Sequence, residues 1–164
     1  LVGSHGFAPS TWGFLVVLNP LSVTLFQLRL TRRVSRVDPA AKLVVAMLLM
    51  GFPFLLLSLS SAIPVVVSVL LLFVLGEMLW VPTSQSVVAA LAPVDIRGAY
   101  MGAFGATSAF GFALAPLFGL QIRASLGDTA MWVGFAAVAV VAAATGALAV
   151  RGHGAEAAVV PQEA

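Results

Sequence analysis

Between Lys42 and Asp95 the chain carries one charged side chain, Glu77. A soluble fold could not cover its core with so few charges. Across 164 residues, 61% are hydrophobic and 9% charged, and the mean hydropathy is +1.10. Soluble domains average roughly 45–50% apolar and about 25% charged residues. The solvent around most of this chain is therefore lipid. The expected fold class is all-α, a polytopic transmembrane helix bundle of about five spans.

A helix needs about 20 mostly apolar residues to cross the hydrocarbon core. The first such stretch is 11–30, closed by the basic cluster Arg29, Arg32, Arg33, Arg36 and Lys42. The second is 41–60, ended by two serines and then Pro64, which suits a first helical turn. The third, 64–92, is roughly 40 Å long at ~1.5 Å per residue. It must tilt, protrude or bend at Pro82. A turn with polar groups follows, from Ala92 through Asp95 and Arg97 to Gly98. The fourth span is 99–122 and, after the link 123–129, the fifth is 130–150. Residues 1–151 thus form one transmembrane bundle. Residues 152–164 are small, polar and Ala-rich, and a disordered cytoplasmic tail is expected there. The chain opens on Leu1 and lacks the basic start of a signal peptide, so a piece of a longer protein is expected.

Lys and Arg gather in short cytoplasmic loops. With five spans, the loop 31–41, the loop 92–98 and the C-terminal tail share one side. That side collects Arg29, Arg32, Arg33, Arg36, Lys42, Arg97 and Arg151, while the other has Arg123 alone. The expected topology has the N-terminus outside and the C-terminus in the cytoplasm, in the cell membrane. Setting this topology is a sufficient role for the basic cluster.

Several chemistries are excluded. The pI near 9.9 suggests nucleic acid, but the net charge is +2 and no basic stripe with interleaved aromatics exists. Cysteine is absent, and the two histidines, His5 and His153, stand near the ends without ligand neighbours. No metal site or cofactor is expected. The chain has no His-Glu-x-x-His, no Gly-x-Ser-x-Gly and no paired intramembrane Asp, so an enzyme is not expected. It also lacks a Gly-rich phosphate loop, which argues against ATP-driven transport.

The spans differ in polarity. The second and fifth hold nothing more polar than Ser or Thr and read as lipid-facing scaffold. The first carries Asn19, Pro20 and Gln27, and the third Glu77, Pro82 and Gln85. Polar groups stranded in hydrocarbon are costly, so these two should face protein or a wet cavity. Glu77 lies past the middle of the bilayer, where an ionisable group is a functional candidate by default. Proton exchange on it would couple to a conformational change. Trp80 at i+3 and Ser84 at i+7 share its face. The alternative is a protonated Glu77 that bonds a neighbouring helix and fixes packing. In the fourth span Gly111, Ala115 and Gly119, and likewise Gly105, Ala109 and Ala113, repeat every four residues. Such ridges let helices approach closely, and packing is the leading reading. Phe104 or Phe110 as part of a substrate wall is the alternative.

Order along the chain carries a resemblance. Gly76-Glu77-Met78-Leu79-Trp80-Val81-Pro82, then Ala89-Ala90-Leu91-Ala92-Pro93, then Arg97-Gly98-Ala99-Tyr100-Met101-Gly102 resemble helix ten and the following loop of the major facilitator superfamily, in its drug/proton efflux branch. Ser10-Thr11-Trp12-Gly13-Phe14 through Asn19 to Gln27 resembles its eighth helix, and residues 111–119 its eleventh. Resemblance covers residues 8 to 151. Of the family's Gly-x-x-x-Asp-Arg-x-Gly-Arg-Arg loop signature, Arg32, Arg33 and Arg36 remain, without the Gly and Asp.

The resemblance implies helices eight to twelve of a twelve-helix transporter with substrate near the midplane. It also implies that the N-terminal helices of the same transporter are missing partners. The expected function is proton-coupled efflux of small organic or amphipathic solutes by alternating access. Glu77 would be the proton or substrate site, with Asn19, Gln27, Trp80 and Gln85 lining the pathway. The alternative is a non-transporting membrane scaffold or assembly subunit that uses the Gly/Ala ridges to bind a partner.

Overall fold

A computed structural model describes the backbone of residues 9–159 and the side chains of residues 17–152. Five helices follow one another: α1 (Pro9–Arg33), α2 (Pro39–Gly51), α3 (Ile63–Leu91), α4 (Arg97–Leu126) and α5 (Asp128–Val159). Helix α2 continues as a 3-10 segment, Phe52–Ser58, and a short 3-10 turn, Val94–Ile96, precedes α4. No strand occurs among the described residues. Short connections make consecutive helices antiparallel, so the α1–α2 and α3–α4 turns lie at one end and the other two turns at the opposite end.

Helix ends are set by local chemistry. Asp38 caps α2 by accepting from the Ala41 N–H at 3.0 Å, with Pro39 in the first helical turn where its missing N–H costs nothing. Asp38→Ala should lower stability by about 1 kcal/mol. The check is the thermal midpoint of the purified protein, and an unchanged midpoint would deny the cap any role. Helix α4 stops at Gly127, whose φ of 88° is left-handed and cheap only for glycine. Across this turn Arg123 Nε pairs with Asp128 Oδ1.

Sequence boundaries and helices agree to within a few residues, with two differences. The second span is not one α-helix. Pro53 cannot donate to the carbonyl four residues back, and the chain tightens to 3-10 geometry from Phe52 onward. Phe54 holds this segment in place: it stacks on Trp132 of α5 at 5.4 Å and meets Phe73 of α3 edge-on at 5.7 Å. The fifth helix also outlasts its expected end. Its backbone stays helical through residues 152–159, where a disordered tail was expected, and residues 160–164 lie outside the described residues. The side chains of Ser10–Phe14 and His153, and all of His5, also lie outside them.

Helix α2 packs along both α3 and α5, α4 closes against α3 and α5, and α1 docks chiefly on α3. Helix α3 buries Val66, Val69, Val74, Met78 and Leu79, but the covered faces of α2 and α5 are built largely from small residues. Helix α5 buries Ala136, Ala139 and Ala143 while Val133, Val138, Val141 and Leu148 stand exposed. Helix α2 buries Ala40, Ala46 and Gly51 together with Leu43, and exposes Val45. In water this arrangement would be inverted, with large apolar groups inside. Lipid chains are as apolar as Leu, so in a membrane close backbone packing at small residues drives association. Four helical segments, Pro39–Ser58, Ile63–Leu91, Val94–Leu126 and Asp128–Gly152, are long and apolar enough to cross a membrane among the described residues. The chain is an all-α, multi-pass membrane protein.

The two apolar spans therefore do more than face lipid. A Cβ on Gly51 would overlap that of Ala139, so α2 and α5 touch at backbone distance. The small-residue ridges of α4 show the reverse. Nothing lies within 4 Å of a Cβ built on Gly105 or Gly111, and Ala109, Ala113 and Ala115 are exposed. Only Gly119 is used, against the Phe135 ring. The ridges were expected to pack helices, but α4 meets its neighbours along other residues.

Candidate functional site

Glu77 is the middle residue of α3. Its half-buried carboxyl accepts a hydrogen bond from Asn19 Nδ2 of α1 at 2.6 Å. No cation lies within ion-pair distance of it among the described residues. The sole intramembrane carboxylate thus meets a neutral amide on the helix that the sequence singled out as polar.

Gln27, two turns along α1 from Asn19, reaches the next residue of α3. Its Nε2 donates to Met78 O at 3.0 Å and to Thr31 Oγ1 at 3.1 Å. Met78 O is the carbonyl that Pro82, four residues on, cannot serve. The sequence reading placed Gln27 on a solute pathway and missed this partner. The signal was available, because a proline inside a span frees one identifiable carbonyl.

Trp80 and Gln85 turn toward α4. With Val81 and Ser84 they face Met101, Phe104, Gly105, Ser108 and Phe112 across a groove of about 280 Å³. Trp80 and Phe104 form its aromatic wall, ring centroids 6.2 Å apart and planes tilted by 41°. The hydroxyls of Ser84 and Ser108 bond carbonyls of their own helices, Val81 O and Phe104 O. The exposed Gln85 amide makes no hydrogen bond to another described residue. Phe104, foreseen as a substrate wall, is in the groove, and Phe110 is exposed outside it.

The five predicted site residues therefore form two neighbourhoods on α3. Asn19, Gln27 and Glu77 make the α1 contact, and Trp80 with Gln85 makes the α4 groove. Glu77 is one turn from Trp80 and Val81 on the same face but does not line the groove. A larger groove of about 480 Å³ lies between α1 and α3, with Phe26, Leu30, Leu71 and Leu75 as walls and Arg29 and Arg33 among its lining.

The basic residues fall where the turns put them. Arg32 and Arg33 end α1, where cations complement the helix dipole, and Arg36 follows in the turn. Arg97 opens α4 at the same end of the bundle. All four are exposed. Arg123 sits at the opposite end with Asp128. No group of His, Cys, Asp and Glu that could hold a metal exists among the described residues.

No protein-family model matches the chain, and no curated protein or solved structure matches it either.

Proposed function

We propose that this chain is the helix-eight-to-twelve portion of a major-facilitator secondary transporter, exporting small organic or amphipathic solutes by proton-coupled alternating access. The observation that carries the reading is Glu77, a lone carboxylate at the middle of α3, hydrogen-bonded by Asn19 and facing no cation among the described residues. Packing alone accounts poorly for it. A carboxyl in the middle of a membrane helix is rare and a functional candidate by default, whereas an interhelical hydrogen bond in a membrane returns on average about 0.6 kcal/mol. A glutamine would make the same bond to Asn19 at lower cost. A carboxyl that binds and releases a proton has a use for the difference.

In this reading Glu77 carries the proton, and Trp80, Phe104 and Gln85 offer a solute an aromatic wall with one free amide. Asn19 and Gln27 hold α1 to α3 beside them. Arg32, Arg33, Arg36 and Arg97 lie on the cytoplasmic face of the cell membrane, with the N-terminus outside, and preceding helices of the same transporter complete the pathway. The open face of α4, with nothing near Gly105 or Gly111, supports a second reading, a non-transporting subunit that binds a partner helix there.

Two measurements separate these readings. An antibody to residues 152–164, used on source-cell membranes, should detect a band at roughly 40 kDa, the size of two six-helix halves. Vesicles from those membranes, given an imposed pH gradient, should move an amphipathic cationic dye, and a protonophore should abolish the flux. A band near 16.9 kDa, with no gradient-driven flux, would replace transport with the scaffold reading.

A further inference from the structure

Pro82 leaves a defect in α3 that another helix repairs. Lacking an N–H, it cannot donate to Met78 O, and a backbone carbonyl without a partner in hydrocarbon costs several kcal/mol. Transmembrane helices tolerate proline because neighbouring groups satisfy the freed carbonyl. Here the neighbour is identifiable: Gln27 Nε2 donates to that oxygen at 3.0 Å. No other side-chain donor reaches it among the described residues. The second hydrogen of the same nitrogen goes to Thr31 Oγ1, one turn further along α1, which fixes the amide's orientation. Helix α3 accordingly remains helical through Pro82, from Ile63 to Leu91.

We infer that Gln27 is a latch on α3. It replaces the hydrogen bond that Pro82 removes and holds the two halves of the helix in register, and its withdrawal lets the Pro82–Leu91 half bend. The latch acts on the backbone immediately after Glu77 and within the turn that carries Trp80 and Val81. Bending there would change the width of the groove against α4 and of the one where Lys42 of α2 faces Pro82, Thr83 and Ser86. The inference goes beyond the transport reading and does not depend on it, since it concerns one helix and the amide that spans its break.

A double-variant cycle in the purified protein tests it. Gln27→Met keeps the side chain's length and removes the donor. Pro82→Ala restores an N–H able to reach Met78 O. Gln27→Met should lower the thermal midpoint by several degrees in the native background and by less than a third of that shift in the Pro82→Ala background. Bending is read separately. The chain has no cysteine, so spin labels can be placed by Val45→Cys and Leu91→Cys, both at exposed positions. A bend of about 30° would move the Leu91 end, about 14 Å beyond Pro82, by roughly 7 Å. The label distance should shift and broaden with Gln27→Met and return to the native distribution when Pro82→Ala is added. Equal losses in both backgrounds, or an unmoved distance, would overturn the latch. If Gln27→Met alone does not fold, recovery in the double variant supports the latch. Failure of both counts against it, because Gln27 then matters for a reason unrelated to the proline.

Discussion

Glu77→Gln should leave the bundle intact and remove the dependence of flux on the proton gradient. The variant keeps the length of the side chain and an acceptor oxygen, so Asn19 Nδ2 retains its partner at α1. What it loses is the ability to bind and release a proton. The expected thermal midpoint is therefore unchanged or slightly raised, because an ionisable group leaves the middle of the membrane. Gradient-driven dye flux should fall by at least about tenfold, ~1.4 kcal/mol in barrier terms, and what remains should not respond to pH. The comparison with Asn19→Leu is informative. That change strands the carboxyl without its amide, and it should lower the midpoint while flux still depends on the proton gradient. A Glu77→Gln protein that transports at the native rate with the native pH dependence would end the proton-site assignment. A large drop in midpoint without a change in flux would make Glu77 a packing residue.

Much of the fold was legible because the membrane simplifies the reading. Stretches of apolar residues marked five spans; five helices lie there, and four helical segments are long and apolar enough to cross a membrane among the described residues. Where helices outrun the expected spans, there is one reason. Apolar content marks the part of a helix that crosses hydrocarbon, whereas a helix ends at a stop signal beyond it. In α4 that signal is Gly127, so the helix runs to Leu126 rather than 122. In α2 the start is fixed by Asp38 and Pro39 rather than by Ala41. Pro53 was a readable warning that the second span would not stay α-helical.

The faces were harder to read than the spans. In a soluble helix the apolar stripe names the covered side, but here every side of α2, α4 and α5 is apolar, and covered and lipid-facing positions differ mainly in residue size. Small size alone misleads: Ala136, Ala139 and Ala143 are buried, and Ala109, Ala113 and Ala115 on α4 are not. The polar residues were the better guide. Asn19 on one span meets Glu77 on another, and Gln27 meets the backbone carbonyl of the residue beside Glu77, since in hydrocarbon a polar side chain has few other partners. What spacing could not reveal is that Trp80 and Gln85 turn to a different neighbour from Glu77.

Gly76→Ala should disrupt the contact between α2 and α3 that the rest of the bundle is built upon. A Cβ at Gly76 would lie 2.8 Å from Ala46 O and 2.7 Å from Met50 Cγ. Met50 is flexible and can move, but Ala46 O is backbone within α2 and cannot yield without shifting the helix. Overpacking of this kind costs typically 1–3 kcal/mol, and α2 is pinned on its far side by Gly51 against Ala139, so a shift there creates a second clash. The expected result is a thermal midpoint lowered by several degrees and a broadened elution profile in detergent. Gly111→Ala is the matched comparison, because nothing lies within 4 Å of its Cβ. Alanine there gains helix propensity, up to about 1 kcal/mol, and should be neutral or mildly stabilising for these five helices alone. The pair of variants also bears on the transport reading. If Gly111→Ala proves as damaging in native membranes as Gly76→Ala, another helix sits on α4 at backbone distance, as a larger transporter or a partner subunit would require. If only Gly76→Ala is damaging, the α4 face meets lipid.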